Sequence, residues 1–295
     1  MSLLQRINRL GLPVLVYAIL VGFHCGTDSD TSMSPVYINP FPSSHKDEAR
    51  TDILDGLVAH WTFQETLGTS LVDSSANSLH GEIEGAQWIV DDGHAALSFD
   101  GEDDYVKMAL KDSNKITHLA QLGEGSLSIW FKLNSLPQGK RIFPIFYYGS
   151  ETACNFFDAA NEGLIVEVGH HPVQWESERL YFTLWANGCT YPSFCFDSNH
   201  AIEAGQWYHF VVVIGPDYNT GYLNGQEMIA RRYNFGSRGE SQFFENAVTH
   251  EVIWLGRGYW DSDMNYFDGL IGEIRIYEDP ISAGAVKTLY ANGTP

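Results

Sequence analysis

The sequence predicts an all-β fold, an antiparallel two-sheet β-sandwich of the jelly-roll kind, on three observations. Apolar residues alternate with more varied ones over short windows, the period of two that marks a half-buried strand. Turn-forming residues separate those windows. No window of fixed length repeats, which disfavours a propeller or a solenoid. The 295 residues are 44% hydrophobic and 14% aromatic, enough apolar surface for a packed core and unlike a disordered chain.

Taken in order, the chain opens with Arg6 and Arg9 ahead of an apolar run from Leu10 to Phe23. That run is short for a bilayer span and fits the core of an export signal over residues 1–24. No second long apolar stretch follows, so we expect a chain without a transmembrane helix, secreted or anchored at the cell envelope. Cys25 and the following Gly26-Thr27-Asp28-Ser29-Asp30 resemble the start of a bacterial lipoprotein, which would place a lipid on Cys25. Gly22-Phe23-His24 depart from the small residues usual before such a cysteine, so ordinary secretion stands beside that reading. Residues 25–54, with Pro35, Pro40 and Pro42 among Ser, Thr and Asp, read as a flexible linker. Residues 55–295 read as one domain.

Within that domain Leu57, Ala59, Trp61 and Phe63 alternate, as do Leu127, Ile129, Phe131 and Leu133 with Ser128, Trp130 and Lys132 on the other face. Leu180, Phe182 and Leu184 mark another strand. Trp207 to Ile214 is apolar on both faces, as a central strand would be. Asn224-Gly225 between strand-like stretches signals a tight hairpin, because both central positions of that turn need positive φ. Ile271, Ile274 and Ile276 mark a last strand, and Ser282 to Ala291 a short helix ending near Gly293.

Seventeen basic residues against 37 acidic ones give a formal charge of −20. Such a surface repels phosphate backbones and excludes nucleic acid as the expected partner. The surplus supplies carboxylates for a hard cation such as calcium, with simple solubility as the competing reading. Cys154, Cys189 and Cys195 allow one disulfide and one leftover thiol in an oxidising compartment. Cys189 and Cys195 flank a Tyr191-Pro192-Ser193 turn and would close a small loop; pairing of Cys154 with either stays open.

Four segments in order resemble the laminin-G-like, concanavalin A-like lectin/glucanase jelly-roll family. They are Gly56 to Phe63 with Val72-Asp73-Ser74-Ser75-Ala76-Asn77; Leu97-Ser98-Phe99-Asp100-Gly101-Glu102-Asp103-Asp104-Tyr105-Val106; Ser126 to Phe131 with Trp207 to Phe210 and Tyr222 to Gly225; and Phe267 to Tyr277. The resemblance implies two antiparallel sheets face to face, with ligand contacts on loops or on the concave sheet. It names no ligand, since this fold hosts lectins, adhesion modules and hydrolases. The stretch from about 149 to 206 is longer than the family pattern and is expected to elaborate one edge or rim.

The resemblance also implies a structural calcium near Asp73 and Asn77, with Asp268 or Glu273 contributing; the competing reading is an Asx-type turn capping its own backbone. A second, weaker candidate is Asp261, Asp263 and Asn265 at alternate positions. Tyr266 stands where an EF-hand needs glycine and no glutamate falls at the twelfth place, so only a non-EF site survives. Trp175, Trp185, Tyr191, Tyr259 and Trp260 fall near strand ends or loops, where rings could stack on sugars or simply pack. Trp61, Trp130 and Trp207 sit within strands and are read as packing. No Glu-x-Asp-x-x-Glu run, Gly-x-Ser-x-Gly elbow, HExxH or phosphate loop appears. The sequence therefore points to a non-catalytic extracellular module for carbohydrate. A glycan-cleaving enzyme on the same fold and an adhesive protein binding a surface protein are the alternatives.

Overall fold

The structure, a computed structural model, describes residues 53–110, 116–138, 142–152, 163–169, 178–186, 192–260 and 263–293. The first part of the chain gives β1 (Leu57–Trp61), β2 (Ser70–Leu71), β3 (Gly81–Glu84), β4 (Gln87–Asp91), β5 (His94–Asp100), β6 (Tyr105–Ala109) and the single-turn helix α1 (Ile116–Leu119). The middle gives β7 (Gly125–Leu133), β8 (Ile142–Gly149), β9 (Leu164–Gly169), β10 (Arg179–Leu184), β11 (Phe194–Ala201) and β12 (Trp207–Gly215). The last part gives β13 (Tyr218–Leu223), β14 (Gln226–Glu227), β15 (Arg232–Phe235), β16 (Val252–Leu255), β17 (Arg257–Trp260), β18 (Asp263–Tyr266), β19 (Asp268–Tyr277) and α2 (Ala283–Gly293).

These strands form the two antiparallel sheets that the alternation predicts. One runs β14-β13-β12-β7-β19-β5-β4, with β1 also paired to β19; the other, nine-stranded, runs β15-β11-β10-β9-β8-β16-β6-β3-β2. Leu127, Ile129, Phe131 and Leu133 of β7 face Phe146, Val166, Phe182 and Ile253 of the nine-stranded sheet in one core. The odd spacing from Ile271 to Ile274 is reconciled by a register shift between them, so that Ile271, Ile274 and Ile276 all point inward. A similar shift between Leu57 and Ala59 turns Leu57 away from the core, against the expected alternation, and leaves Val58, Ala59 and Trp61 inside.

Asn224 and Gly225 have φ of 50° and 73° and join β13 to β14 as expected. The stretch 149–206 does more than dress a rim: it contributes β9, β10 and β11, which with β15 make up one side of the nine-stranded sheet.

The outer faces of the two sheets differ. On the first, α2 lays Ala285, Val286 and Leu289 over Val211, Val213, Tyr222 and Tyr277. Ser282 caps the helix, its Oγ accepting from Ala285 N at 3.1 Å. The same face carries ring contacts from Trp207 to His94, His94 to Trp130, and Trp130 to Tyr290 of α2. These contacts cover the part of that face around β12 and β13. On the nine-stranded sheet, the β17–β18 hairpin covers β8, and a Cβ on Gly258 would lie 3.0 Å from Pro144 Cβ. Among the described residues no helix is long and apolar enough to cross a membrane.

Candidate functional site

The outer face of the nine-stranded sheet is built by alternation. Leu164, Val166 and Val168 of β9 enter the core, so Ile165 and Glu167 face outward. By the same rule Tyr181 and Thr183 of β10, Cys195 and Asp197 of β11, and Arg232 and Asn234 of β15 share that face. Cross-strand register lines them up: Pro144 opposite Glu167, Glu167 opposite Tyr181, Tyr181 opposite Asp197, and Asp197 opposite Arg232. Towards β16 the face becomes aromatic. Tyr147 stacks on Trp254 with centroids 5.3 Å apart, and the Arg257 guanidinium lies 4.5 Å from the Tyr105 and Trp254 ring centres.

Asp197 is fully buried and fully engaged. Arg179 Nη1 donates to its Oδ1 at 3.0 Å, Arg232 Nε to its Oδ2 at 3.0 Å, Asn234 Nδ2 to its Oδ2 at 2.9 Å, and Asn199 N to its Oδ1 at 2.7 Å. Glu167 is the opposite case. It is 2% exposed, its Oε2 has no hydrogen-bond partner, and burial pushes its carboxyl up to about 8. At neutral pH it is an acid that can donate as well as accept. A glycosidase would need a second carboxyl free to act as base or nucleophile. In this row Asp197 is committed to its four donors.

The expected site residues divide. Trp185 and Tyr259 come together on this face, half-buried against the cluster of Ile142, Tyr147, Ile165, Val252 and Trp254, with Tyr259 Oη donating to Glu151 O at 3.0 Å. Trp175, Tyr191, Asp261, Cys25, Cys154 and Cys189 lie outside the described residues. Trp260 and Asp263 pair across β17 and β18 by their backbone, and their side chains lie outside the description. Asn265 is buried, and its Oδ1 accepts from Ile142 N at 3.4 Å.

Cys195 is a free thiol, which corrects the expectation that it bridges to Cys189 or Cys154. Its β11 position holds the sulfur 3.3 Å from Thr183 Oγ1, and burial pushes the thiol up to about 12, so it stays protonated.

Each of the four residues expected around calcium is engaged with protein groups. Asp73 accepts from His60 N, Ser75 N, Ser75 Oγ and Leu79 N at 2.7–2.9 Å, and Asn77 Nδ2 donates to Val58 O at 2.8 Å. Glu273 takes His60 Nε2 at 2.8 Å and Arg275 Nη2 at 2.7 Å. Asp268, five positions away on β19, accepts from Asn134 Nδ2 at 3.0 Å and from Ser135 Oγ. Elsewhere Asp100, Asp103 and Asp104 bring carboxylate oxygens within 4.8 Å of one another, with Asp100 Oδ1 accepting from Glu102 N and Asp104 Oδ2 from Asp100 N. Burial, and then the charges of Asp100 and Asp103, raise the Asp104 carboxyl above its ordinary range.

Sequence reasoning missed Glu167. The signal was a lone carboxylate in the otherwise apolar run Leu164-Ile165-Val166-Glu167-Val168.

Among solved structures, Trypanosoma rangeli sialidase in complex with sialic acid is similar at 14% identity and a TM-score of 0.52, covering 80% of this chain and 32% of that one. Domain 4 of AbnA, an extracellular GH43 arabinanase from Geobacillus stearothermophilus, in complex with arabinotriose, is similar at 20% identity and 0.53, covering 79% and 98%. The binding domain of botulinum neurotoxin DC in complex with SialylT is similar at 14% identity and 0.56, covering 82% and 52%. This chain thus spans about a third of the sialidase and about half of the toxin domain. At these identities the likeness establishes the fold alone. No curated protein matches. The Laminin_G_3 family description, concanavalin A-like lectin/glucanases superfamily, matches residues 100–287, well over half of the chain. The chain belongs to that superfamily.

Proposed function

We propose that this chain is an extracellular, non-catalytic module that binds a glycan on the outer face of its nine-stranded sheet. One observation carries the reading: half-buried Trp185 and Tyr259 stand together at the edge of a row of buried hydrogen-bonding side chains on this face, while α2 covers part of the opposite sheet. Rings beside polar groups are what a saccharide needs, apolar faces against aromatics and hydroxyls against amides and carboxyls. The sugar complexes of the sialidase, the arabinanase domain and the toxin domain support a carbohydrate ligand for this fold. The saturated Asp197 favours binding over cleavage. Export through residues 1–24, with or without a lipid on Cys25, belongs to the same proposal, and the mass of the mature N-terminus tests it.

The function is tested by calorimetric titration with arabinotriose, sialic acid and a panel of polysaccharides, with each mixture assayed for released sugar. Binding without release is expected. Released product would establish the glycan-cleaving alternative, and a flat panel would favour adhesion to another protein.

A further inference from the structure

We infer that β4, the end strand of the first sheet, pairs edge to edge with β4 of a second copy of this chain. The inference is independent of the glycan reading. Among the described residues β4 pairs only with β5, from Gln87 opposite Ser98 to Asp91 opposite His94. The other end strands offer less: β2 and β14 have two residues each, and Arg232 of β15 turns its side chain to Asp197. β4 has five residues without proline or lysine, and its Ile89 and Val90 are 39% and 65% exposed. An open apolar edge of that kind is a template for another strand. Leu67, 75% exposed, extends the patch, because Trp88 Nε1 donates to the carbonyl of the adjacent Gly68 at 2.8 Å.

The backbone fixes the register. Asp92 and Gly93, with φ of 49° and 81°, make the two-residue turn from β4 to β5. Residues flanking such a turn exchange both their hydrogen bonds, so Asp91, Ile89 and Gln87 bond to β5. The N–H and C=O groups of Trp88 and Val90 then point to the free edge. All of these groups find partners in an antiparallel copy only when Trp88 stands opposite Val90, Val90 opposite Trp88, and Ile89 opposite Ile89 on the two-fold axis. The side chains agree with that register. Read in either direction the strand runs polar, apolar, apolar, apolar, polar, so Trp88 faces Val90, Ile89 faces itself, and Gln87 faces Asp91. No like charges face each other within the strand, and Asp91 is already paired to Lys132 Nζ at 2.7 Å. This self-complementarity selects a second copy over an unrelated strand. Repulsion from the net charge of −20 is short-ranged at physiological salt, where the screening length is about 8 Å.

Sedimentation velocity of the full chain in physiological salt, from about 1 to 200 μM, measures the association. The weight-average mass is expected to rise from monomer towards dimer across that range. Ile89→Lys sets two like charges on the axis and should weaken the dimer at least about tenfold, while the thermal melt of the dilute protein stays cooperative. Oxidation reads the register. Ile89→Cys should cross-link two copies, because Cα atoms facing across the axis are about 4.5 Å apart, within disulfide reach. Val90→Cys, whose counterpart is displaced along the strand, should cross-link no faster than wild type oxidised in parallel. A chain that stays monomeric throughout would overturn the inference. So would a dimer as tight in Ile89→Lys as in wild type, or equal cross-linking of the two cysteine variants. Should Ile89→Lys fail to fold, the two cysteine variants decide.

Discussion

Glu167 and His209 are two buried titratable groups whose effects on stability run in opposite directions. Burial lifts Glu167 to about 8, well above its ordinary 4.5, and lowers His209 from 6.5 to about 3. His209 Nε2 meets Ser128 Oγ at 2.8 Å while its Nδ1 has no partner. The Glu167 contribution is present in full below its unfolded pKa and is lost as pH rises to about 8. Its slope there is at most about 1.4 kcal/mol per pH unit. The His209 contribution is present above 6.5 and is lost as pH falls towards 3, with a similar slope. Between about pH 4.5 and 6.5 the two cancel. Urea unfolding of Glu167→Gln should therefore differ from wild type by a gap that grows with pH from 5 to 8. His209→Gln should differ by a gap that changes with pH from 6.5 downwards. Parallel curves for a variant and wild type would mean that the group titrates normally in the folded chain.

At the scale of an element, the loop after β1 shows what a carboxylate does when every lone pair is used. Asp73 ties the His60, Ser75 and Leu79 amides and the Ser75 hydroxyl into one turn. Asp73→Ala leaves those donors unpaired and should cost about 3 kcal/mol in urea unfolding. The loss should be the same in calcium and in chelator, because the partners are N–H and O–H groups; a loss seen only with calcium present would instead make Asp73 a ligand. Both readings of this loop were open in the sequence, since Asp73 and Asn77 at that spacing suit either. The strands were legible because alternation is a local signal, and Asn224-Gly225 because the turn chemistry is local too. Glu167 was not legible as a buried acid. Whether the second face of β9 is covered depends on β10, β11 and β15, with partners as distant in sequence as Arg232 and Asn234. Which cysteine is left free stayed open in the sequence for the same reason: spacing from Cys189 says nothing of which way β11 turns its side chains.

At the scale of the whole molecule, the sandwich divides its labour between two outer faces. Each sheet needs its inner face for the common core, so the outer faces are where the sheets can differ. One is partly closed with apolar residues by α2, where Leu289 is 3% exposed against Val211, Val213 and Tyr222. The other buries a polar row, with Glu167 Oε2 left orphaned, and keeps Trp185 and Tyr259 half-buried beside it. Stability and ligand affinity should then respond to different substitutions, because distant, independent sites act additively. Leu289→Ala should lower unfolding free energy by about 2–4 kcal/mol through the cavity it leaves, with affinity for the sugar that binds wild type unchanged. Trp185→Ala should do the reverse, weakening that affinity about tenfold while a half-buried ring costs less stability than Leu289. Calorimetric titration and urea unfolding on the same two proteins measure both quantities. If Leu289→Ala weakens binding while still folded, or Trp185→Ala leaves it untouched, the ligand lies on the α2 side and the assignment of the faces is reversed.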